Sequence, residues 1–294
     1  MTTPRLAALL FLFISFLSLA ARPALSATLA PLPTETEIYC SGIVSRLAPR
    51  PLGSVVSGED AIDKLQFFQG DAVYLHLAAH SAAHSAPKPG EQFLVVRAAK
   101  DPTQIPWFRG EKRLERRMGR LWDDIGRVRV IKLAGRVTIA RVESSCVPMK
   151  RGDLLLAFEP RPAPPLPAPG LKDVFAAPAS PVIGRVVSAK DFRQILGAGY
   201  IAYVDLGKRQ GVKVGDRLLL FRHPGQQDDE VYQMGEAAAR PEGFGHSRPS
   251  HGAGRLPREI LGEAVVLRVS RTAATILITS SRREIELGDY AARE

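Results

Sequence analysis

The sequence lacks the short motifs that mark common catalytic sites. It contains no Gly-X-Ser-X-Gly nucleophile elbow, no His-Glu-X-X-His zinc motif, no Walker-type phosphate loop and no Cys-X-X-Cys pair. A serine and two histidines occur together in residues 245–252 (GHSRPSHG), but nothing around them indicates the strand, turn and helix that such a nucleophile needs. The adjacent acids Asp123-Asp124 and Asp228-Asp229 suit solvated turns rather than an acid–base pair. We therefore expect a protein that is not an enzyme and that needs no cofactor.

Long apolar runs are also absent, with one exception at the N-terminus. Residues Leu6–Ala21 (LAALLFLFISFLSLAA) follow Arg5, and small residues come after them at Ser26 and Ala27. This order of charge, apolar run and small residues is typical of a secretory signal peptide. We expect residues 1–27 to be that signal, either cleaved or kept as an anchor, and the protein to be exported to the periplasm or cell envelope. No second run is long enough to cross a bilayer.

Cysteine is limited to two positions, Cys40 and Cys146. In an oxidising envelope compartment such a pair forms a disulfide, and two free buried thiols are the alternative. Closing a loop of roughly 100 residues stabilises the fold by about 4–5 kcal/mol when the cause is lost chain entropy in the unfolded state.

Basic residues outnumber acidic ones. The formal net charge is +10, and it falls to +8 without Arg5 and Arg22 of the signal segment. A positive surface favours anionic partners such as phospholipid headgroups, lipopolysaccharide or nucleic acid. Because we expect export, we expect no nucleic-acid partner. The alternative is that the basic residues are scattered over the surface and serve solubility.

Two stretches rich in proline or glycine divide the chain. Residues 159–180 (EPRPAPPLPAPGLKDVFAAPAS) favour an extended, semi-rigid spacer rather than a helix or a paired strand. Residues 223–258 are rich in glycine, histidine, proline and charge, and they indicate a long insertion between strands. We expect a first module over residues 36–160, a linker over 161–180 and a second module over 181–294.

One sequence pattern occurs twice. Lys88–Arg97 reads KPGEQFLVVR, and Lys213–Arg222 reads KVGDRLLLFR. Both belong to a series of four similar blocks that appear in the same order in each half, which indicates an internal duplication. The other first-half blocks are Gly70–Leu77, Ala134–Val142 and Met149–Phe158, and they match Gly199–Leu206, Leu261–Val269 and Ile285–Arg293.

The blocks predict short strands. Runs such as Phe93–Val96 and Ala264–Leu267 are apolar and rich in β-branched residues, and glycine and proline bound them. Short strands with turn signals between them are typical of a small antiparallel barrel or sandwich, and a closed barrel hides the strand edges. We therefore expect a mainly β fold of two related antiparallel β-barrel modules.

A glycine followed by an acid recurs directly before these strands. This pair predicts a tight turn in which the glycine has positive φ and the carboxylate bonds nearby backbone N–H groups. The pairs are Gly70-Asp71, Gly90-Glu91, Gly152-Asp153, Gly215-Asp216 and Gly288-Asp289.

Residues 101–126 interrupt the pattern of strands with an inserted amphipathic helix. Leu114, Met118, Leu121 and Trp122 are spaced to share one face, and arginines occupy the other side. The functional interpretation is docking on an anionic surface or an acidic partner, with two aromatic residues as interfacial anchors. The alternative is that the apolar face packs on the first barrel and the arginines are hydrated. The candidate interaction surface comprises Trp107, Phe108, Arg109, Arg113, Arg116, Arg117 and Arg120.

Three histidines are spaced by four residues: His76, His80 and His84. On a helix they would share one face and suit Zn²⁺ or Cu²⁺. The duplication instead places His76 at the end of a strand and the other two in a polar loop. We therefore expect no metal site, and these three histidines are the candidates if a metal does bind.

The second half resembles a known family. The order GRVV (Gly184–Val187), YVDLGKRQGVKVGDRLLLFR (Tyr203–Arg222), LGEAVVLRVSRTAATILI (Leu261–Ile278) and IELGDY (Ile285–Tyr290) is similar to the C-terminal domain of flagellar assembly protein T. The resemblance covers roughly Val182–Glu294 without the long loop. It implies a small SH3-like β-barrel and a periplasmic location, and it brings no catalytic residues.

These observations together predict an exported, non-catalytic envelope protein. Its expected role is structural: assembly or interaction with other envelope proteins. The alternative is a module that binds peptidoglycan or an anionic lipid, and a hydrolase acting on the envelope is the third hypothesis.

Overall fold

The computed structural model is mainly β, and its strands form two closed barrels. The expected signal, residues 1–27, and most of the expected loop over residues 223–258 lie outside the described residues. Within the described part, the α-helices are α1 (Glu35–Tyr39) and α2 (Glu111–Met118), and no helix there is long and apolar enough to cross a membrane. The structure describes residues 31–60, 62–77, 87–102, 105–135, 137–167, 173–223 and 257–294.

The first barrel is built from the first seven strands of the described residues. These are β1 (Ile43–Ser45), β2 (Gly53–Gly58), β3 (Ala72–Leu77), β4 (Gln92–Ala98), β5 (Arg120–Ala134), β6 (Val137–Ser145) and β7 (Leu154–Ala157). Six of them form a ring in the order β5-β4-β7-β2-β3-β6, closed by pairing of β6 with β5, while β1 pairs with the start of β5. The interior is filled by side chains that include Phe67, Phe93 and Met149.

The second barrel follows the proline-rich stretch. Its strands are β8 (Ile183–Ala189), β9 (Ile195–Leu196), β10 (Ile201–Val204), β11 (Arg217–Arg222), β12 (Glu259–Val269), β13 (Ala274–Ser281), β14 (Ile285–Glu286) and β15 (Tyr290–Arg293). The closed ring has the order β10-β13-β12-β11-β15-β8, and β9 pairs with β14 beside it. Short 3-10 helices occupy Lys190–Phe192 and Lys208–Gln210.

The two barrels have the same topology. Matching β2, β3, β4, β5, β6 and β7 with β8, β10, β11, β12, β13 and β15 makes the strand order of the two rings identical. The irregularities in strand pairing match as well. Val95 lies opposite Gly126 in the first barrel and Leu220 lies opposite Gly262 in the second, and in both barrels the strand register shifts at the next residue. The prediction of a mainly β fold with two related barrel modules is confirmed.

One match between the sequence blocks is wrong. Ala134–Val142 contributes to β6, whereas Leu261–Val269 lies in β12, the counterpart of β5. The structural counterpart of LGEAVVLRV is Ile125–Leu133 (IGRVRVIKL), which has its glycine at the same place. The two strands of a hairpin carry similar alternation of side chains, so the pattern alone does not distinguish them.

The predicted helix is shorter than its apolar spacing indicates. It ends at Met118, and Gly119, at φ 114° and ψ −150°, leads the chain into β5. Leu121 and Trp122 are therefore strand residues that pack in two different clusters, not on one helical face. Glycine is required at this corner because a Cβ on Gly119 would lie 2.3 Å from the backbone carbonyl of Ser45.

An apolar seam joins the barrels. Val44, Met118 and Leu121 of the first module pack on the outside of the second barrel, in one cluster with Tyr203 and Leu267. Burial of such side chains contributes about 25 cal/mol for each Å² removed from water, so the seam stabilises the contact between the modules.

Hydrogen bonds fix the alignment of this seam. The Tyr203 hydroxyl donates to the carbonyl oxygen of Ser41 at 2.9 Å, and the Thr275 hydroxyl donates to that of Gly42 at 3.1 Å. Burial raises the pKa of Tyr203 well above its usual value, and the carboxylate of Asp123 adds to this effect. The phenol therefore stays protonated and keeps its role as a donor.

Asp124 is a buried charge at the seam, so the expectation of a solvated turn is wrong. It is 1% exposed. Arg161 donates two hydrogen bonds to it at 2.8 Å, Arg268 approaches at 3.1 and 3.3 Å, and the backbone N–H of Gly42 donates at 2.9 Å. Burial lowers the pKa of Arg268, and the charge of Asp124 opposes that effect. The other acid pair, Asp228-Asp229, lies outside the described residues.

The described residues of the proline-rich stretch form neither helix nor strand. The stretch is nevertheless attached to the barrels. Arg161 belongs to the Asp124 cluster, and the carbonyl oxygen of Val174 accepts the backbone N–H of Ile260 at 2.7 Å. These contacts hold the stretch against the folded surface.

Candidate anion-binding surface

The residues before α2 are buried, which corrects the expectation that Trp107 and Phe108 are interfacial anchors. They are 5% and 1% exposed, and they lie in the core cluster of the second barrel. The Glu111 carboxylate holds this turn because it accepts the backbone N–H groups of both aromatic residues. Burial raises the pKa of Glu111. The two aromatic side chains therefore fasten the insertion to the second barrel and do not face a membrane.

The apolar side of α2 packs on the second barrel, not on the first as the alternative interpretation has it. Leu114 packs against both the barrel core and the seam, and Met118 lies in the seam. The Thr272 hydroxyl, from the second barrel, donates to the carbonyl oxygen of Met118 at 3.0 Å. This bond satisfies a carbonyl that has no partner within the helix, since it lies at the helix end.

Arginines occupy the opposite side of α2. Arg113, Arg116 and Arg117 are exposed on the helix, and Arg120 is exposed at the start of β5. Arg117 approaches Asp205 only at 4.0 Å, with 61% of its side chain exposed, so this pair contributes little. Further cations reach the same area from neighbouring segments. The basic surface, as we define it, comprises Arg46, Lys100, Arg109, Lys112, Arg113, Arg116, Arg117 and Arg120.

Few carboxylates offset the charge of the basic surface. Glu115 lies 3.2 Å from Lys112, and within the described part of the chain Asp101 and Asp205 are the other acids that line its grooves. The surface is therefore strongly positive, and surfaces of this kind raise the local concentration of anionic partners.

Grooves run along both sides of α2. One, of about 710 Å³, brings Arg109 and Arg113 near Arg185 and Tyr290. Arg185 donates to the Tyr290 hydroxyl at 2.6 Å and lies over the tyrosine ring, with its guanidinium carbon 4.4 Å from the ring centroid. The other, of about 850 Å³, lies along the seam between the barrels.

The five glycine–acid pairs lie at β-turns. In each turn, the backbone N–H of the acid donates to the carbonyl three residues earlier, and the acid side chain accepts the N–H of that earlier residue. The glycine φ angles lie between 88° and 102°, which suits the third position of a type II turn. The pairs are Gly70-Asp71, Gly90-Glu91, Gly152-Asp153, Gly215-Asp216 and Gly288-Asp289.

Two of the turn acids also bind the arginine near the end of a core strand. Arg97 donates to Asp153 at 2.6 and 2.7 Å, and Arg222 donates to Asp289 at 2.6 and 2.8 Å. Burial lowers the pKa of Arg222, but the hydrogen bond and charge of Asp289 outweigh burial and raise it overall. These forked pairs are equivalent in the two barrels and connect β4 to β7 and β11 to β15.

Cys40 and Cys146 form a disulfide, as predicted, with their Cα atoms 5.6 Å apart. The bond ties the end of α1 to the residue after β6. It lies beside Ser41 and Gly42, which accept hydrogen bonds across the seam. A disulfide indicates an oxidising, extracytoplasmic compartment.

The histidine candidates are not brought together by the described structure. His76 is exposed on β3, and His80 and His84 lie outside the described residues, as does the 245–252 stretch. Within the residues that the structure describes, no group of histidine, cysteine, aspartate and glutamate side chains is arranged to hold a metal ion.

Arg46 and Lys100 join the basic surface from segments that sequence reasoning does not connect with α2. Arg46 follows β1 and lines a groove of about 380 Å³ together with Arg116 and Arg120. The pairing of β1 with β5 brings it there. No local sequence pattern predicts a contact between segments so far apart in the chain. The overall positive charge of the sequence is the only feature that points to a basic surface.

The fold and the surface define a class of protein: a pair of duplicated barrels, the first with an internal disulfide, and a basic surface at their seam. Comparison with models of known protein families found no match, and no curated protein matches the chain. The resemblance of the second half to flagellar assembly protein T stays a prediction.

Proposed function

We propose that this chain is an exported, non-catalytic interaction protein of the cell envelope. In this proposal the segment over residues 1–27 directs it to the periplasm, where the two barrels form one packed support. The basic surface on that support attaches the protein to an anionic component of the envelope, namely lipid or peptidoglycan. The disulfide and the high positive charge support this assignment.

The basic surface is the observation that carries the proposal. Its central arginines are exposed, while Trp107, Phe108 and Met118 fasten the same segment to the second barrel. The charges are therefore held at defined positions. Arginine remains charged at physiological pH and forms forked hydrogen bonds with phosphate and carboxylate groups.

Sedimentation with vesicles tests the proposal. The native chain should sediment with phosphatidylglycerol vesicles and with purified sacculi, but not with phosphatidylcholine vesicles. The variant in which Arg113, Arg116, Arg117 and Arg120 are all replaced by Gln should bind at least about tenfold more weakly, because each basic residue near an anionic membrane contributes about 1 kcal/mol. Binding of the native chain should also decrease as salt is added.

A second variant of equal net charge provides the control. Arg50, Arg141, Lys150 and Lys213 are exposed and line none of the grooves beside α2, and replacing them by Gln removes the same charge. This control variant should retain most of the native binding. Unchanged binding in the α2 variant, or an equal loss in both variants, would contradict a role for the basic surface.

Assembly with another envelope protein is the second candidate function, and a separate observation favours it. Ile62, Leu65 and Phe68, between β2 and β3, are 96%, 68% and 50% exposed. Large exposed apolar side chains that lie this close together in the chain are candidates for a protein contact site. A photo-crosslinking side chain at Leu65 should give one product of defined mass in whole cells, and the same group at Arg271 should not. The absence of that product, or its formation from both positions, would contradict this candidate.

A further inference from the structure

The groove along the seam, which we call the seam groove, has a volume of about 850 Å³. Residues of α2 and the start of β5 form one wall, and β8 with the turn after it forms the other. The floor is apolar: the buried side chains of Val44, Met118, Leu121 and Val187 lie beneath it, and Ala99 and Phe192 are half-buried at its surface. An apolar strip therefore lies between two walls that belong to different barrels.

Among the residues that the structure describes, four cationic side chains line the seam groove: Lys100, Lys112, Arg116 and Arg120. Arg116 and Arg120 also line the adjoining groove that contains Arg46, so guanidinium groups from two segments meet at this place. Asp101 and Glu115 are the acids among the described residues that line the groove, and they are fewer than the cations. Guanidinium groups match two oxygens of a phosphate at once, which favours a phosphate-bearing ligand.

The wall opposite α2 contains backbone in an uncommon conformation. Asp191 and Phe192 have φ of 57° and 54°, a region that residues other than glycine seldom adopt. Phe192 is half-buried, packs against the apolar cluster of the seam and lines the groove. Strained backbone persists where the surrounding structure holds it in place, and ligand sites are frequent examples.

A peptide strand is a poor occupant for the seam groove. Val187 and Ser188 of β8 line it, and β8 pairs with β10 at Ser188 and with β15 over Ile183–Arg185. At most the short stretch Val187–Ala189 has an open edge on the β15 side, which is too short for a stable added strand. Strand addition requires an open sheet edge. The apolar floor also offers no partners for the backbone groups of a peptide, and unpaired polar groups are costly to bury.

We propose that the seam groove binds one molecule of an anionic phospholipid. Its phosphate lies at Arg116 and Arg120, and the first part of an acyl chain lies along the apolar floor against Phe192. This inference rests on the proposed function, because it names the anionic component that the basic surface meets. The apolar strip beside the phosphate donors favours a lipid over free phosphate, which would need the donors alone.

Titration calorimetry of the full exported chain tests the assignment. The probe is dihexanoylphosphatidylglycerol below its micelle concentration, with dihexanoylphosphatidylcholine and inorganic phosphate in parallel. We expect one site for the anionic lipid and at least about tenfold weaker binding of the other two compounds. Equal binding of inorganic phosphate would identify a simple anion site and overturn the assignment.

Variants locate the site. Arg116→Gln with Arg120→Gln should weaken lipid binding about tenfold or more, and Phe192→Ala should weaken it with the phosphate donors intact. The matched control is Arg50→Gln with Arg141→Gln, because it removes the same charge at exposed positions outside both the basic surface and the seam groove. The control should bind like the native chain. An equal loss in the control would assign the effect to general charge and overturn the proposal.

Vesicle sedimentation separates this inference from the proposed function. If the native chain sediments with phosphatidylglycerol vesicles but does not bind the short-chain lipid, the assignment of the seam groove fails alone. If it binds neither, both fail. A decaglutamate peptide that binds in the seam groove while the lipid does not would also overturn the assignment.

Discussion

Asp124 of the first barrel and Arg268 of the second lie 3.1 Å apart in an ion pair that crosses the seam. Strand register makes Lys132 the counterpart of Arg268 in the first barrel, and Lys132 is exposed on β5. The same position of the duplicated fold therefore carries a cation in both barrels, but only the second barrel uses it for contact between the modules.

Replacing Asp124 by Ala should strongly destabilise the protein. The change leaves Arg161 and Arg268 partly buried without their shared carboxylate, and breaking a buried pair from one side costs about 3–5 kcal/mol. Urea unfolding should show a lower midpoint. The exposed Asp63→Ala variant should stay within about 0.5 kcal/mol of the native chain. A similar midpoint for the two variants would show that the seam does not depend on this carboxylate.

Local patterns predict the turns and most of the strands. Each glycine–acid pair specifies its own corner, because the glycine supplies positive φ and the carboxylate bonds a residue only three positions away. The prediction fails over residues 119–122, where an apolar spacing that suits a helix continues into a strand. There a tertiary contact overrides the helical pattern, because β1 pairs with the start of β5 and Gly119 turns the chain toward β1.

The packing between the two barrels is harder to predict from the sequence than the strands and turns are, although one sequence pattern indicates it. Ile260–Leu267 of β12 are all buried, and apolar residues occupy both faces of that strand. The equivalent stretch of β5 alternates arginine and valine (RVRV, residues 127–130) and has one face toward solvent. A continuous apolar strand indicates cover on both sides. The pattern does not show which segment covers the outer face of β12. That depends on contacts between residues far apart in the sequence, and local periodicity holds no information on such contacts.

The equivalent glycines Gly126 and Gly262 should both resist substitution. A Cβ would lie 2.1 Å from the carbonyl oxygen of Ser144 in the first barrel and 2.3 Å from that of Ser280 in the second. Because strand backbones must separate to admit the extra atom, Gly→Ala at either position should cost about 1–3 kcal/mol in the free energy of unfolding. Gly197→Ala, whose Cβ meets only a side-chain oxygen at 3.6 Å, is the control. If either Gly126→Ala or Gly262→Ala were as stable as the native chain, the close approach of the neighbouring strand backbone would be refuted.

The forked pairs Arg97–Asp153 and Arg222–Asp289 should contribute similar energies to their barrels. Replacing either arginine by Ala leaves an almost fully buried aspartate without its main partner, which should cost about 2–4 kcal/mol. Double-mutant cycles with Asp153→Ala and Asp289→Ala measure the coupling, which should be favourable in both barrels. A coupling near zero in one barrel would show that the duplicated pair has lost its role there.

Reduction of the disulfide should lower the free energy of unfolding. Cys40 and Cys146 are 106 positions apart, and a loop of about 100 residues corresponds to about 4–5 kcal/mol in the chain-entropy model. Unfolding curves with and without dithiothreitol give this difference. The variant with both cysteines replaced by Ala should match the reduced native chain and should not respond to dithiothreitol. Equal stability of the oxidised and reduced native chain would contradict the expectation.

Asp123 should make the protein less stable as the pH rises. In the described part of the chain, one of its carboxylate oxygens is buried without a hydrogen-bond partner. Burial raises the pKa of Asp123 in the folded state above 3.8, its ordinary value, although the charge of Lys190 opposes this. The folded chain therefore binds this proton more tightly than the unfolded chain does. The resulting stabilisation is complete below the unfolded pKa and is lost as the pH rises through the folded pKa.

The Asp123→Asn variant isolates this effect because an amide keeps the shape of the side chain without the charge. The variant should be more stable than the native chain at pH 7.5, by an amount that decreases as the pH falls toward about 4. Urea unfolding of both chains at four pH values between these limits measures the difference. Asp63→Asn, at an exposed position, should show no such trend. A difference between Asp123→Asn and the native chain that stays constant with pH would mean that the Asp123 carboxyl titrates in the folded protein as it does in the unfolded chain.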